Sequence, residues 1–154
     1  MIPTPPPGVM PEKELRECLR PYDHRYFQLI EDWPVVYHYE GRWYRFWLRT
    51  PWDYDVASIP RLFWPITSPL ELGFEAPAAH DHLLEQKGLV EVEVFDLNSE
   101  WSSIGEIQFT RLQVDRFFAM KMRTGGISMF RRRTGYRGVR LWARLKPLLG
   151  RGEW

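Results

Sequence analysis

Cys18 is the only cysteine in 154 residues, so no internal disulfide framework is available to this chain. A lone thiol suits synthesis in a reducing, cytoplasmic compartment. Long apolar runs are missing too: no stretch approaches the roughly 18 residues that a bilayer-spanning helix needs, and no transmembrane segment is expected. The opening Met1-Ile2-Pro3-Thr4-Pro5-Pro6-Pro7 is neither basic nor continuously apolar, so no secretory signal is expected either. There is no glycine-rich phosphate loop and no G-x-S-x-G elbow, which disfavours nucleotide and serine-hydrolase chemistry. The absence of C-x-x-C and H-x-x-x-H pairs disfavours a structural zinc site.

Aromatic side chains, by contrast, make up 16% of the chain, enough apolar area to offset the ordering entropy of one folded domain. Charge is abundant but unevenly placed. Residues 1–120 hold 11 Lys/Arg against 19 Asp/Glu, whereas residues 121–154 hold ten Lys/Arg against Glu153 alone. An acidic body with a basic tail can dock one on the other, meet a protein partner, or meet an anionic lipid or envelope surface. No nucleic-acid-binding motif accompanies the tail, so nucleic acid is not expected as the partner.

Five prolines between Pro3 and Pro11 predict an extended, polyproline-like arm over residues 1–11. A single domain is expected over residues 12–154, ending in a basic helical tail. Glu12–Leu19 reads as a short helix stopped by Pro21. Tyr26–Ile30, Trp33–Tyr39 and Arg42–Thr50 read as strands, the last two joined by the turn Glu40-Gly41. Pro51, Pro60, Pro65 and Pro69 predict an irregular stretch after them. Ala76–Lys87 reads as a helix stopped by Gly88, and Val90–Phe95 as a strand returning to Ile104–Phe109. Thr110 caps a helix to Met122 that Gly125-Gly126 ends. Ser128 opens a third, basic helix that Gly135 and Gly138 are placed to break or kink. There is no internal repeat. The fold class is α+β, a small antiparallel sheet followed by packed α-helices with a proline-rich N-terminal arm.

Three short motifs concentrate the chemistry: D-V-A-S-I-P-R at Asp55–Arg61, A-A-H-D-H-L-L at Ala78–Leu84 and V-D-R-F-F at Val114–Phe118. Together they hold one central histidine and three carboxylates among apolar neighbours, and burying such groups costs free energy unless they are paired. His80 and Asp81 are adjacent on a helix and diverge by about 100°, so a carboxylate contacting His80 must come from another element. Asp115, inside the apolar second helix, is the best candidate. It can orient the ring of His80, leaving His80 as a general base if the other nitrogen meets water. Asp81 with Asp55 can hold a hard cation such as calcium. Arg61 offers a planar donor fork to an anionic ligand, and Trp64 lies near it as lid or apolar mouth. The opposing reading is a structural tie: a buried His–Asp pair that fastens two helices. His82 falls on another face and is expected to be exposed, and Ser58 closes a turn with no base beside it.

These motifs resemble the phage- and prophage-associated family known as domain of unknown function 1353. The pattern matches at Asp55, Ala57, Ser58, Ile59, Pro60, Arg61 and Trp64, then at His80, Asp81 and Leu83, and finally at Asp115 and Phe118. The resemblance covers roughly residues 26–145. Leu84 stands where the family usually has Tyr, and Val90–Ile107 is a long insertion between the helices. The resemblance implies a viral or prophage setting and no reaction. A fainter similarity is to phospholipase A2 enzymes, which would make His80 the base, Asp115 its orienting partner and Asp81 a calcium ligand. Their glycine-rich calcium loop is absent here, and Leu84 replaces their Tyr.

Two functions stay open. One is a virion-associated structural or accessory protein of a tail, neck or baseplate, made in the host cytoplasm and joined to other phage structural proteins through its arm and basic C-terminus. The other is a small metal-assisted hydrolase of lipid or cell-envelope material.

Overall fold

The computed structural model describes residues 3–21, 26–55 and 73–148, excepting the side chains of Asp55 and residues 146–148. Among the described residues, seven strands form two antiparallel sheets. The smaller joins β1 (Leu19–Pro21), β2 (Tyr26–Leu29) and β5 (Trp52–Asp55), in the order β1-β2-β5. The larger has the order β3-β4-β6-β7, built from β3 (Trp33–Tyr39), β4 (Arg42–Leu48), β6 (Leu89–Phe95) and β7 (Trp101–Gln108). Among the described residues, three α-helices complete the α+β fold: α1 (Glu75–Glu85), α2 (Arg111–Thr124) and α3 (Met129–Leu148).

Alternation in β4 explains which face of the large sheet is covered. Phe46 and Leu48 are fully buried and meet Val35, Val92, Ala79, Leu83, Val114 and Phe117 in the main core. The other face of the same strand carries Arg45 and Trp47. Arg45 lies 4.7 Å from the Trp47 ring and 4.2 Å from the Trp101 ring, with Arg49 over Trp47 at 5.0 Å. Arg45 also pairs with Glu93, opposite it on β6. This alternating stack of cations and indoles fastens the β6–β7 hairpin to β4 from outside the core.

The turn at Glu40-Gly41 is as expected, with φ of +46° and +82°, the pair of positive values that a two-residue hairpin turn needs. Elsewhere the structure departs from the expected elements. Glu12–Leu19 supplies only one 3-10 turn, Leu15–Cys18, before β1 begins. Pro21 is the reason, because it steers Arg20 out of the helical region and into extended backbone. Trp52–Asp55, expected to be irregular, is a strand paired to β2 from Trp52↔Leu29 to Asp55↔Tyr26. Its alternation of aromatic and acidic residues carries a period-2 signal that the flanking prolines obscured. The helix α3 runs unbroken through Gly135 and Gly138, both buried. Its Val139 packs against Phe118 and Met122 of α2, and tertiary packing of this kind overrides the weak propensity of glycine.

The proline-rich segment, from residue 3 on, does not stay extended. It turns at Pro7–Val9, Val9 donates its N–H to the Pro6 carbonyl at 3.3 Å, and the Val9 side chain is buried. Pro3, Pro5 and Met10 line a cavity of about 500 Å³ with Val36, Tyr37 and Trp43. Among the described residues, no helix is long and apolar enough to cross a membrane.

Candidate functional site

α1 opens with Glu75 and α2 with a capping box in which Thr110 and Gln113 exchange hydrogen bonds. Each helix then presents an apolar stripe to the core: Ala78, Ala79 and Leu83 from α1, Val114, Phe117 and Phe118 from α2. Glu75, at the start of α1, meets Lys121 near the end of α2 at 2.8 Å. His80, halfway along α1, meets Asp115 near the start of α2 at 3.0 Å. The two helices therefore run antiparallel, and the two ion pairs fix their register.

Asp115 is fully buried and collects three cationic partners. Its Oδ1 lies 3.0 Å from His80 Nε2 and accepts from Arg111 Nε at 3.3 Å, one turn earlier on its own helix. Its Oδ2 accepts from Arg140 of α3 at 2.9 Å. One carboxylate thus ties together all three helices. Burial alone would raise its pKa, but the hydrogen bonds from His80 and Arg140 and the charge of Arg111 outweigh that and hold it below the ordinary carboxylate value.

His80 is 5% exposed, and its ring lies 5.0 Å from that of Phe118. Its Nδ1 is 3.6 Å from Asp81 Oδ1, too long for a hydrogen bond yet close enough to feel the charge. A neutral ring donating to Asp115 would turn its Nδ1 lone pair toward a carboxylate, a repulsive arrangement that a proton on Nδ1 relieves. Burial disfavours the charged ring, but the Asp115 hydrogen bond and Asp81 win, and the pKa is raised above 6.5. The two carboxylates thus favour the imidazolium over the free base.

The pairing of His80 with Asp115 was legible in the sequence, but the expected divergence of Asp81 is not what the structure shows, because its Oδ1 stands 3.6 Å from His80 Nδ1. Arg111 and Arg140 were missed. A basic residue four positions before a carboxylate on a predicted helix is the signal that points to Arg111. Arg140 gives no such signal within a tail rich in arginine. Arg61 and Trp64 lie outside the described residues, as do Ser58 and the side chain of Asp55, so the calcium pair of Asp55 with Asp81 is undescribed. Among the described residues, no group of three or more His, Cys, Asp or Glu side chains is placed to hold a metal ion.

His82, expected to be exposed, is instead half-buried. Its ring stacks on Phe46 at 6.2 Å and meets Trp52 edge-on at 5.7 Å, and its Nδ1 has no hydrogen-bond partner. Burial lowers its pKa to about 4. In the unfolded chain it titrates near 6.5, so its contribution to stability is complete above that pH and fades as pH falls towards 4. His80 has the opposite sign: its contribution is complete below 6.5 and fades as pH rises through its raised value. Replacing His82→Phe is therefore expected to raise unfolding free energy at pH 4 by on the order of 2–3 kcal/mol relative to its effect at pH 7. Urea titrations of both proteins at the two pH values check this, and a pH-independent difference would contradict it.

Residues 27–139 match the family described as "Protein of unknown function (DUF1353)". The chain belongs to that family. The DUF1353 match contains His80, Asp81, Arg111 and Asp115, and stops one residue short of Arg140. Neither a curated protein nor a solved structure matches the chain, and the similarity to phospholipases A2 finds no support.

Proposed function

We propose that this DUF1353 chain is a bacteriophage virion-associated accessory protein, a component of a tail, neck or baseplate, whose His–Asp cluster is an internal tie. The observation that carries this reading is the saturation of the cluster. Asp115 spends both oxygens on three cations, and both ring nitrogens of His80 face carboxylates. A general base needs an available lone pair, and charge-assisted bonds of this kind serve to lock helices together. The exposed basic face of α3 and the proline-rich segment then act as the surfaces joined to other virion proteins.

A metal-assisted hydrolase of lipid or cell-envelope material is the second reading. It is favoured by the 3.0 Å His80–Asp115 pair with Asp81 beside it, 13% exposed. In that reading Asp81 would hold calcium, and drawing this carboxylate away would release the His80 lone pair. Two measurements separate the readings. Mass spectrometry of purified particles is expected to find the chain, and purified protein is expected to show no calcium-dependent ester hydrolysis. Calcium-dependent hydrolysis that disappears in His80→Gln would reverse the choice.

A further inference from the structure

Resting on the assembly reading, we infer that the chain associates head to tail with a second copy of itself, the outer face of α3 seating on the β6–β7 hairpin of the next copy. Two surfaces of opposite charge carry this. On α3, Phe130 is 69% exposed, Leu141 45% and Leu145 41%, while Arg133, Arg137 and Arg144 are also exposed. Their spacing by three, four and seven residues puts them on one side of the helix. None of these three arginines has an ion pair among the described residues. Arg140, by contrast, is neutralised by Asp115.

The hairpin is the counterpart. Leu97 at its tip is fully exposed, Ile104 is 48% exposed and Leu89 42%. Glu91, Glu100 and Glu106 are exposed around them, and the side chains of Glu100 and Glu106 have no partner among the described residues. Glu91 stands directly opposite Glu106 across the two strands, a like-charge pair that destabilises an isolated hairpin. Arg133 and Arg137, one turn apart on α3, repel in the same way. Each surface thus carries a repulsion that the other would relieve. The dimensions also agree: Phe130 to Leu145 spans about 22 Å of helix, and the eight residues of β7 span about 27 Å. Within one chain the two do not meet face to face, because α3 packs on α2 whereas the hairpin packs on β4. Different patches on the two partners make a heterologous contact, which closes into a ring or extends as a filament.

Sedimentation equilibrium of the full chain tests this. In about 50 mM salt the mass is expected to rise above the 18.5 kDa of one chain as concentration increases, and to fall back towards it in about 500 mM salt. The double variant Arg133→Glu/Arg137→Glu and the double variant Glu100→Lys/Glu106→Lys are each expected to associate at least about tenfold more weakly. All four positions are exposed, and circular dichroism verifies folding. Mixed one to one, the two variants regain complementary surfaces and are expected to recover wild-type mass. A wild-type chain that stays at one-chain mass at about 200 μM in low salt, or a mixture that fails to recover, overturns the proposal. So does capture by phosphatidylglycerol vesicles with no self-association, which would assign the basic face to lipid. A chain that is monomeric in solution yet present in particles would overturn this inference alone and leave the assembly reading standing.

Discussion

Replacing Asp115→Ala is expected to cost about 3–5 kcal/mol of unfolding free energy, a large share of the roughly 5–15 kcal/mol that holds a domain of this size together. The carboxylate is fully buried, and its removal leaves Arg140, Arg111 and His80 facing one another with no anion between them. Without the anion His80 sheds its proton, and the two guanidiniums beside it must part or draw in water. Arg140→Leu is a milder change, because His80 and Arg111 still neutralise Asp115; about 1–2 kcal/mol is expected. Denaturant titration of the two variants checks the order. A loss below about 1 kcal/mol for Asp115→Ala would mean that the cluster is hydrated and is no tie.

Gly88→Ala is expected to be nearly as damaging, at about 3 kcal/mol or more. Gly88 follows α1 with φ of +80°, and a methyl group there would come within 2.1 Å of the Phe109 carbonyl oxygen. That carbonyl belongs to backbone whose N–H already bonds the Gly88 carbonyl at 2.9 Å, so it has no freedom to retreat. Gly41→Ala separates the two causes. Its φ is +82°, but nothing lies within 4 Å of the added carbon, so it incurs only the left-handed strain of about 1–2 kcal/mol. Thermal unfolding of both variants reports the difference, and equal losses would show that the close approach to Phe109 is relieved by a small shift.

Local signals of the same kind explain what could be read from the sequence. Gly88 and Thr110 mark helix ends through their own backbone chemistry, and α1 and α2 were placed within a residue or two. His80 and Asp115 could be paired because each is an ionisable residue set in an apolar stripe. Arg140 could not, since whether a given arginine of a basic helix faces α2 or water depends on how α3 rolls about its axis. The division of seven strands into two sheets was equally hidden. It depends on β5 returning to β2 across 22 intervening residues, and the prolines around Trp52–Asp55 spoke louder than its alternation. His82 was misjudged because its neighbours in space, Phe46 and Trp52, come from strands far away in the chain.

The stack of Arg49, Trp47, Arg45 and Trp101 has a consequence for how this chain can change over generations. It grips the hairpin along its flank, leaving the turn between Phe95 and Trp101 with no duty to the interior. Residues can be gained or lost at Leu97–Ser99 for little more than the slow logarithmic cost of closing a longer loop. A change in the length of that turn is therefore expected to leave the domain beneath it folded.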